Sequence, residues 1–167
     1  MGSPDGKRDV RRLVDDHYEA LYRYGYRLSG SADEAGDLTQ ETFLKAQEQF
    51  GSLREPGRAK SWLFTILRNA FLQRLRSRKP NLHVPIEAVG ELAEREPDEL
   101  PDTACDLQTA LNDLSEEWRT PIILFYFEGF SYRDIAEQMD LPIGTVMSRL
   151  ARAKAYLRTR LAPDDVG

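Results

Sequence analysis

Residues 142–161, PIGTVMSRLARAKAYLRTRL, contain four arginines and one lysine but no aspartate or glutamate. At about 100° per residue, a helix over this segment has one narrow apolar face, which we expect to be buried: Val146, Leu150, Ala153 and Leu157. The opposite face is polar: Thr145, Ser148 and Arg152, with Arg149 and Tyr156 at its edge. A helix that is merely solvated usually alternates its charge signs. The segment therefore favours a helix whose polar face binds a polyanion.

The residues before this helix indicate which polyanion it binds. The segment SYRDIAEQM, residues 131–139, predicts a short helix opened by a capping pattern from Ser131 to Asp134. After a tight turn, the basic helix begins with the small residues Gly144 and Thr145, which let backbone amides approach a phosphate. This layout is typical of a helix-turn-helix, whose second helix enters the DNA major groove with its N-terminal half. A plain helical hairpin with solvated arginines is the alternative.

The formal net charge of −5 hides a segregation of charge along the chain. Residues 58–79 contain seven basic residues and no acidic one. Residues 81–106 contain eight acidic residues and one arginine, together with several prolines. Because local charge sets the local field, an acidic protein of this kind can still bind nucleic acid.

Several classes of function lack the residues that they need. Cys105 is the only cysteine, which excludes an internal disulfide and favours a cytoplasmic location. The two histidines, His17 and His83, form no cluster with cysteines, and no Gly-rich phosphate loop is present. We therefore predict no enzyme activity, no metal and no cofactor. No apolar run approaches the roughly 18 residues of a membrane span, so we predict no membrane insertion.

Helical periodicity without strand-type alternation predicts an all-α fold of two small domains, residues 9–79 and 105–163. Residues 1–8 are predicted to be disordered, and the acidic, Pro-rich residues 80–104 to form a linker. The first predicted helix is Asp9–Leu28, and the second runs from near Ser31 or Asp33 to Phe50. The other predicted helices are 58–79, 105–114, 115–129, 131–139 and 142–161. Ser115 is the predicted N-cap of its helix, and Pro121 should bend that helix or break its first turns. The predicted inner face of the third helix is Trp62, Leu63, Ile66, Leu67, Ala70 and Leu75.

Three blocks in this order carry a family resemblance: DEAGDLTQETFLKA, SWLFTILRNAFLQRLRS and LSEEWRTPIILFYFEGFSYRDIAEQMDLPIGTVMSRLARAK. With the acidic segment between the second and third, the chain resembles the extracytoplasmic-function class of alternative sigma factors over residues 10–163. These proteins are two-domain initiation subunits of bacterial RNA polymerase. The resemblance implies a sigma region 2-like domain, a sigma region 4-like helix-turn-helix domain, and promoter-specific initiation without catalysis.

The resemblance also assigns roles to individual residues. It implies that the second helix docks on core polymerase through Asp37, Gln40, Glu41 and Phe43. It implies that the third helix binds the −10 element through Arg68, Asn69, Arg74 and Arg76, with residues 51–60 forming a base pocket. It implies that the closing helices bind the −35 element through Arg133, Thr145, Ser148, Arg149, Arg152 and Lys154. Three residues depart from the family pattern: Gly36, Gln73 and Met147, the last at a position that is often basic.

The partners implied by the resemblance are bacterial core RNA polymerase, promoter DNA and an anti-sigma factor, with the free chain a monomer. The acidic linker would then thread a basic channel of the polymerase, or would serve only as a solvated spacer. Trp62 could stack on a base, although its helical spacing favours a place in the core. The alternative function is a stand-alone helix-turn-helix regulator that binds duplex DNA without polymerase. That alternative leaves the helices over residues 33–50 and 58–79 without a role.

Overall fold

The computed structural model describes residues 4–78 and 104–162 of the chain. These residues form seven α-helices and no β-strand, which confirms the all-α prediction. The chain divides into two compact units, Met1–Pro80 and Asn81–Gly167, as predicted. The predicted linker lies outside the described residues except for its last residue, which begins a helix. No helix within the described ranges is long and apolar enough to cross a bilayer.

The first unit contains three helices, α1 (Pro4–Ser29), α2 (Ala32–Glu48) and α3 (Ala59–Arg76). Helix α1 begins before Asp9, so the prediction of disorder is wrong for residues 4–8. Helix α2 begins directly after Ser31, whose hydroxyl caps the helix by accepting a hydrogen bond from the Glu34 backbone N–H at 3.2 Å. The loop before α3 contains two short 3-10 turns, Phe50–Ser52 and Pro56–Arg58.

The core of the first unit lies where these three helices meet. Tyr24 of α1 stacks on Phe64 of α3 with ring centroids 4.6 Å apart, and both rings are fully buried. Helices α1 and α2 approach closely at Gly25, where an added Cβ would lie 3.2 Å from the Ala35 Cα. The tight crossing therefore depends on a residue without a side chain.

Two residues of the predicted inner face of α3 are not in the core. Trp62 and Leu75 are half-buried, whereas Phe64 and Phe71 are fully buried. The buried face is centred near Leu63, and on the helical wheel Trp62 lies about 100° and Leu75 about 120° from Leu63. The prediction that Trp62 belongs to the core is therefore wrong.

The described residues of the second unit form four helices: α4 (Ala104–Asp113), α5 (Glu116–Ile122), α6 (Tyr132–Met139) and α7 (Ile143–Leu161). Ser115 stands at the N-cap of α5 but makes no side-chain capping hydrogen bond. Pro121 lies inside α5 without breaking its first turns, and a π-helical turn, Ile123–Phe127, follows at once. The structure therefore departs from α geometry after the proline rather than before it.

Helices α6 and α7 form the predicted helix-turn-helix. The capping box predicted for α6 is present, with Ser131 and Asp134 each bonding the backbone N–H of the other. Helix α6 ends at Met139, and the residue that caps it, Asp140, has a left-handed φ of 54° that turns the chain toward α7. Asparagine and aspartate tolerate this conformation better than most residues. The predicted dry face of α7 is confirmed, since all four residues are buried: Val146, Leu150, Ala153 and Leu157.

Candidate functional sites

An exposed apolar groove runs between α1 and α2 in the first unit. Its volume is about 410 Å³, and its lining combines aliphatic, aromatic and amide side chains: Val10, Val14, Tyr18, Gly36, Gln40, Phe43, Leu44 and Gln47. Tyr18 is 47% exposed and Leu44 is 57% exposed, which is unusual for residues of this size and type. Phe43 stacks on Tyr18 with ring centroids 6.4 Å apart. The groove offers a preformed apolar surface to a partner.

Polar residues of α2 lie both beside the groove and on the side of α2 that contacts α3. Asp37 and Gln40 are exposed, so both are available to a partner. Glu41 is instead held by two cations, with Lys45 Nζ at 3.1 Å and an Arg74 nitrogen at 3.3 Å. Burial alone would raise the pKa of Glu41, but the hydrogen bonds from Lys45 and Arg74 outweigh it and lower that pKa.

The outer side of α3 carries basic and amide side chains. Asn69 and Arg76 are exposed and Arg68 is half-buried. Arg74 forms the ion pair with Glu41, and Arg78 forms a second pair, at 2.6 Å, with Glu34. Both ion pairs join α3, or its C-terminal end, to α2.

The loop before α3 is held by the half-buried Trp62. Its indole Nε1–H donates to the Ser52 hydroxyl at 3.3 Å, and that hydroxyl donates to the Gln49 carbonyl at 2.7 Å. Trp62 therefore joins the loop to α3 and is neither a core residue nor a free aromatic surface.

The exposed face at the start of α7 differs from the polar face expected from its sequence. Ile143 is 46% exposed and Met147 is 49% exposed, and Ser148 is exposed beside them. Thr145 and Arg152 are only half-buried rather than fully exposed. Arg133, at the start of α6, is exposed.

Comparisons with known proteins identify both units. The family profile of Sigma-70 region 2 matches residues 13–80, and that of Sigma-70, region 4, matches residues 106–157. The ECF RNA polymerase sigma factor SigL of Mycobacterium tuberculosis H37Rv is 38% identical over 159 residues, covering 91% of this chain and 88% of SigL. The chain belongs to the ECF RNA polymerase sigma factors. This confirms the family predicted from its sequence.

Other relatives agree on the family. The ECF sigma factor SigE of Mycolicibacterium smegmatis is 38% identical over 161 residues, covering 90% of this chain, and this chain spans 60% of SigE. The structure is similar to that of the sigma factor RpoE, solved with the anti-sigma factor NepR from Bartonella quintana. The TM-score is 0.72 and the sequence identity is 32%, and the match covers 97% of this chain and 99% of RpoE. It is also similar to CnrH, solved with the cytosolic domain of CnrY, with a TM-score of 0.69 and 26% identity over 95% and 90%.

In region 2 of this sigma factor, the structure separates the four residues predicted to dock on polymerase. Gln40 and Phe43 line the groove and Asp37 is exposed on the same helix, but Glu41 pairs with Arg74. Arg74 was itself predicted to bind the −10 element. The two predicted sites therefore share an ion pair, which no local pattern in the sequence indicates.

In region 4 of this sigma factor, two cations that were predicted to bind DNA contact other residues of the protein instead. Lys154, predicted to bind the −35 element, is buried, with Nζ 4.8 Å from the centroid of the Tyr126 ring, so its ammonium group is not exposed for contact with DNA in this structure. The guanidinium of Arg149 lies 6.0 Å from the centroid of the Trp118 ring, and its Nη1 donates to the Glu117 carbonyl at 3.4 Å. Pro121 explains this contact, because it has no N–H to bond the carbonyl four residues earlier.

Arg119 is a structural residue that sequence reasoning missed. It is buried, and its guanidinium donates to the carbonyls of Leu111 at 2.8 Å, Asn112 at 3.1 Å and Leu114 at 2.6 Å. These carbonyls belong to the C-terminal end of α4 and to the turn that follows it, where the last carbonyls of a helix lack the N–H partner four residues on. The Leu111 carbonyl also accepts from the Leu114 backbone N–H at 3.1 Å. Burial lowers the pKa of Arg119 to about 10. The sequence does contain one signal for a buried arginine, because Arg119 follows a tryptophan and is separated by one residue from the apolar run PIILF.

Proposed function

We propose that this sigma factor binds bacterial core RNA polymerase and directs initiation at promoters that carry its own −10 and −35 elements. The observation that carries the proposal is the pairing, in one chain, of a region 2 unit with an exposed apolar groove and a region 4 helix-turn-helix. Core polymerase performs the chemistry, so this chain needs no catalytic residue. It acts in the cytoplasm, where polymerase and promoters are found.

The region 2 unit supplies the contact with polymerase. The apolar groove and the adjacent Asp37 and Gln40 offer buried area together with directional polar contacts, the combination found in specific protein interfaces. Leu44 is the most exposed large apolar residue there, and Leu44→Glu should weaken binding to core polymerase at least tenfold. Glu48→Gln, on the same helix outside the groove, is the matched control. Equal binding by the two variants would reject the groove as the docking surface.

Promoter DNA is bound by both units in this proposal. In region 2, Asn69, Arg68 and Arg76 and the loop held by Trp62 face the −10 element, and Arg74 joins them by exchanging Glu41 for a phosphate. In region 4, the −35 contacts are Arg133, Thr145, Ser148 and Arg152, with Arg149 at the edge. A base that unstacks transiently can be captured by a preformed loop pocket at low cost.

Control by an anti-sigma factor follows from the same exposed surfaces. RpoE was solved with an anti-sigma factor, and this sigma factor has an exposed apolar groove that such a partner could cover. We expect a stable complex on gel filtration when the chain is co-expressed with the product of its neighbouring gene. Leu44→Glu should disrupt that complex if the partner uses the groove.

The decisive experiment is run-off transcription on fragmented genomic DNA, with core polymerase in the presence and absence of this chain, followed by sequencing of RNA 5′ ends. New starts that share one motif near −35 and one near −10 would establish the function and define the promoter. Unchanged starts, with duplex binding retained, would favour a stand-alone helix-turn-helix regulator instead.

A further inference from the structure

The exposed face at the N-terminal half of α7 is apolar, although the helix as a whole is basic. Ile143 and Met147 are the large exposed residues there, 46% and 49% exposed, and they lie one turn apart on the same side of the helix. Gly144 and Ser148 complete this exposed surface. Exposed apolar residues that occur singly are common on soluble proteins, whereas these two are adjacent and have the polar Ser148 beside them.

The nearest cations do not cover the stripe. Arg149 is directed to the Glu117 carbonyl and the Trp118 ring, both of α5. Lys154 is buried beside Tyr126. The large side chains that are exposed at the start of α7 are therefore aliphatic rather than guanidinium groups, and they cannot form the bidentate contact by which arginine recognises guanine.

Charge indicates what covers the stripe. Helix α7 contains no carboxylate, and three of its five basic residues, Arg152, Arg158 and Arg160, are not directed into the fold as Arg149 and Lys154 are, so a polyanion is the complementary partner. The stripe also occupies the half of the second helix that enters the major groove in a helix-turn-helix. The principal apolar group in that groove is the C5-methyl of thymine.

We propose that Met147 and Ile143 recognise thymine methyl groups in the −35 element, so that this sigma factor specifies its promoters partly through apolar contacts. The inference rests on the proposed function and adds its base preference. It predicts at least one thymine, on either strand, whose methyl group packs against Met147.

Deoxyuridine lacks only that methyl group and therefore provides a direct test. Holoenzyme assembled from core polymerase and the full chain is titrated with a promoter defined by the run-off experiment. The thymines of its −35 element are replaced by deoxyuridine on both strands, or, as a control, those of the spacer are replaced. We expect about a three- to fivefold loss of affinity per contacted methyl group in the −35 element, and no change for the spacer.

Variants assign the effect to the stripe. Met147→Ala should weaken binding to the thymine promoter by a similar factor and remove most of the sensitivity to deoxyuridine, while Met147→Leu should retain that sensitivity. Thr159→Ala, an exposed residue at the opposite end of α7, is the matched control and should behave as the wild type. Because Met147 is exposed, its replacement should leave the fold intact, which unchanged Trp118 fluorescence in a Trp62→Phe background would verify.

The outcomes separate this inference from the function on which it rests. A holoenzyme that initiates equally well on thymine and deoxyuridine promoters retains the proposed function and overturns the inference. Equal sensitivity to deoxyuridine in wild type and Met147→Ala also overturns it. If Met147→Ala binds DNA normally but loses a protein partner, the stripe is a protein-docking surface instead. If the holoenzyme initiates nowhere, the proposed function fails, and the inference fails with it.

Discussion

Basic side chains of region 2 and region 4 lie in different surroundings. In region 2, Arg74 and Arg78 pair with the carboxylates of Glu41 and Glu34, and the arginine side chains remain about one third or more exposed. In region 4, Arg119 and Arg149 donate to backbone carbonyls of α4, α5 and the turn between them, and Lys154 lies over an aromatic ring. Region 2 holds Arg74 and Arg78 in solvated ion pairs, whereas region 4 uses Arg119, Arg149 and Lys154 inside the fold.

The difference determines which cations DNA can recruit. An exposed ion pair contributes about 0–1 kcal/mol, so a phosphate can replace the carboxylate at little cost. A cation that donates to buried carbonyls cannot leave without depriving them of their hydrogen-bond donor. Each buried group left without a partner costs about 1–3 kcal/mol. We therefore expect region 2 to adapt its arginines to DNA and region 4 to keep Arg119 in place.

The largest expected effect concerns Arg119. Arg119→Met should lower the free energy of unfolding of region 4 by about 3 kcal/mol or more, because three carbonyls lose a charged donor. Urea unfolding followed by Trp118 fluorescence measures it. A Trp62→Phe background leaves Trp118 as the only tryptophan, so the signal reports on region 4 alone.

Arg160→Met is the matched control for Arg119→Met. Arg160 is exposed on α7 and pairs with Asp113 at 3.5 Å. Its replacement should cost less than about 1 kcal/mol. Similar losses for the two variants would contradict the distinction between buried and solvated cations.

A smaller effect is expected for Arg149 and should depend on Pro121. Arg149→Met should cost about 1–2 kcal/mol, because the Glu117 carbonyl loses its donor. Pro121→Ala supplies a backbone N–H that can bond this carbonyl within α5. Arg149→Met should therefore cost less in the Pro121→Ala background than in the wild type. Urea unfolding of the four proteins measures this coupling, and simple additivity would show that Arg149 does not serve the carbonyl.

The sequence predicted those features that depend on local chemistry. The buried face of α7 follows from helical spacing, and the starts of α2 and α6 follow from Ser31 and Ser131. The two-unit organisation follows from the Pro-rich acidic segment. Each of these requires only neighbours along the chain.

The features that the sequence did not predict depend on partners far along the chain. Arg74 meets Glu41 across 33 residues, and Arg149 meets Glu117 across 32 residues. A helical wheel shows which face of α7 is polar. It cannot show that Arg149 contacts α5 or that Lys154 packs against the Tyr126 ring. The half-buried position of Trp62 could not be predicted for the same reason, because its hydrogen-bond partner Ser52 lies in the preceding loop.

The smallest expected effect is the coupling between Glu41 and Arg74. A double-mutant cycle with Glu41→Gln and Arg74→Gln should give at most about 1 kcal/mol near neutral pH. Region 2 unfolding is followed by Trp62 fluorescence in a Trp118→Phe background. Arg76→Gln, an exposed change on the same helix, should show no coupling to Glu41→Gln. A coupling of several kcal/mol would mean that Arg74 is fixed in the fold as firmly as Arg119.

The pH dependence of this coupling has a definite sign. The pKa of Glu41 is lowered in the folded state from its ordinary value of 4.5, so the unfolded state binds a proton on Glu41 more readily. The contribution is therefore complete above about pH 4.5 and is lost as the pH falls through the lower, folded pKa. Salt should weaken the coupling in the same measurement, because the pair is partly solvated. A coupling that survived both acid and salt would remove the reason for expecting Arg74 to exchange Glu41 for a phosphate.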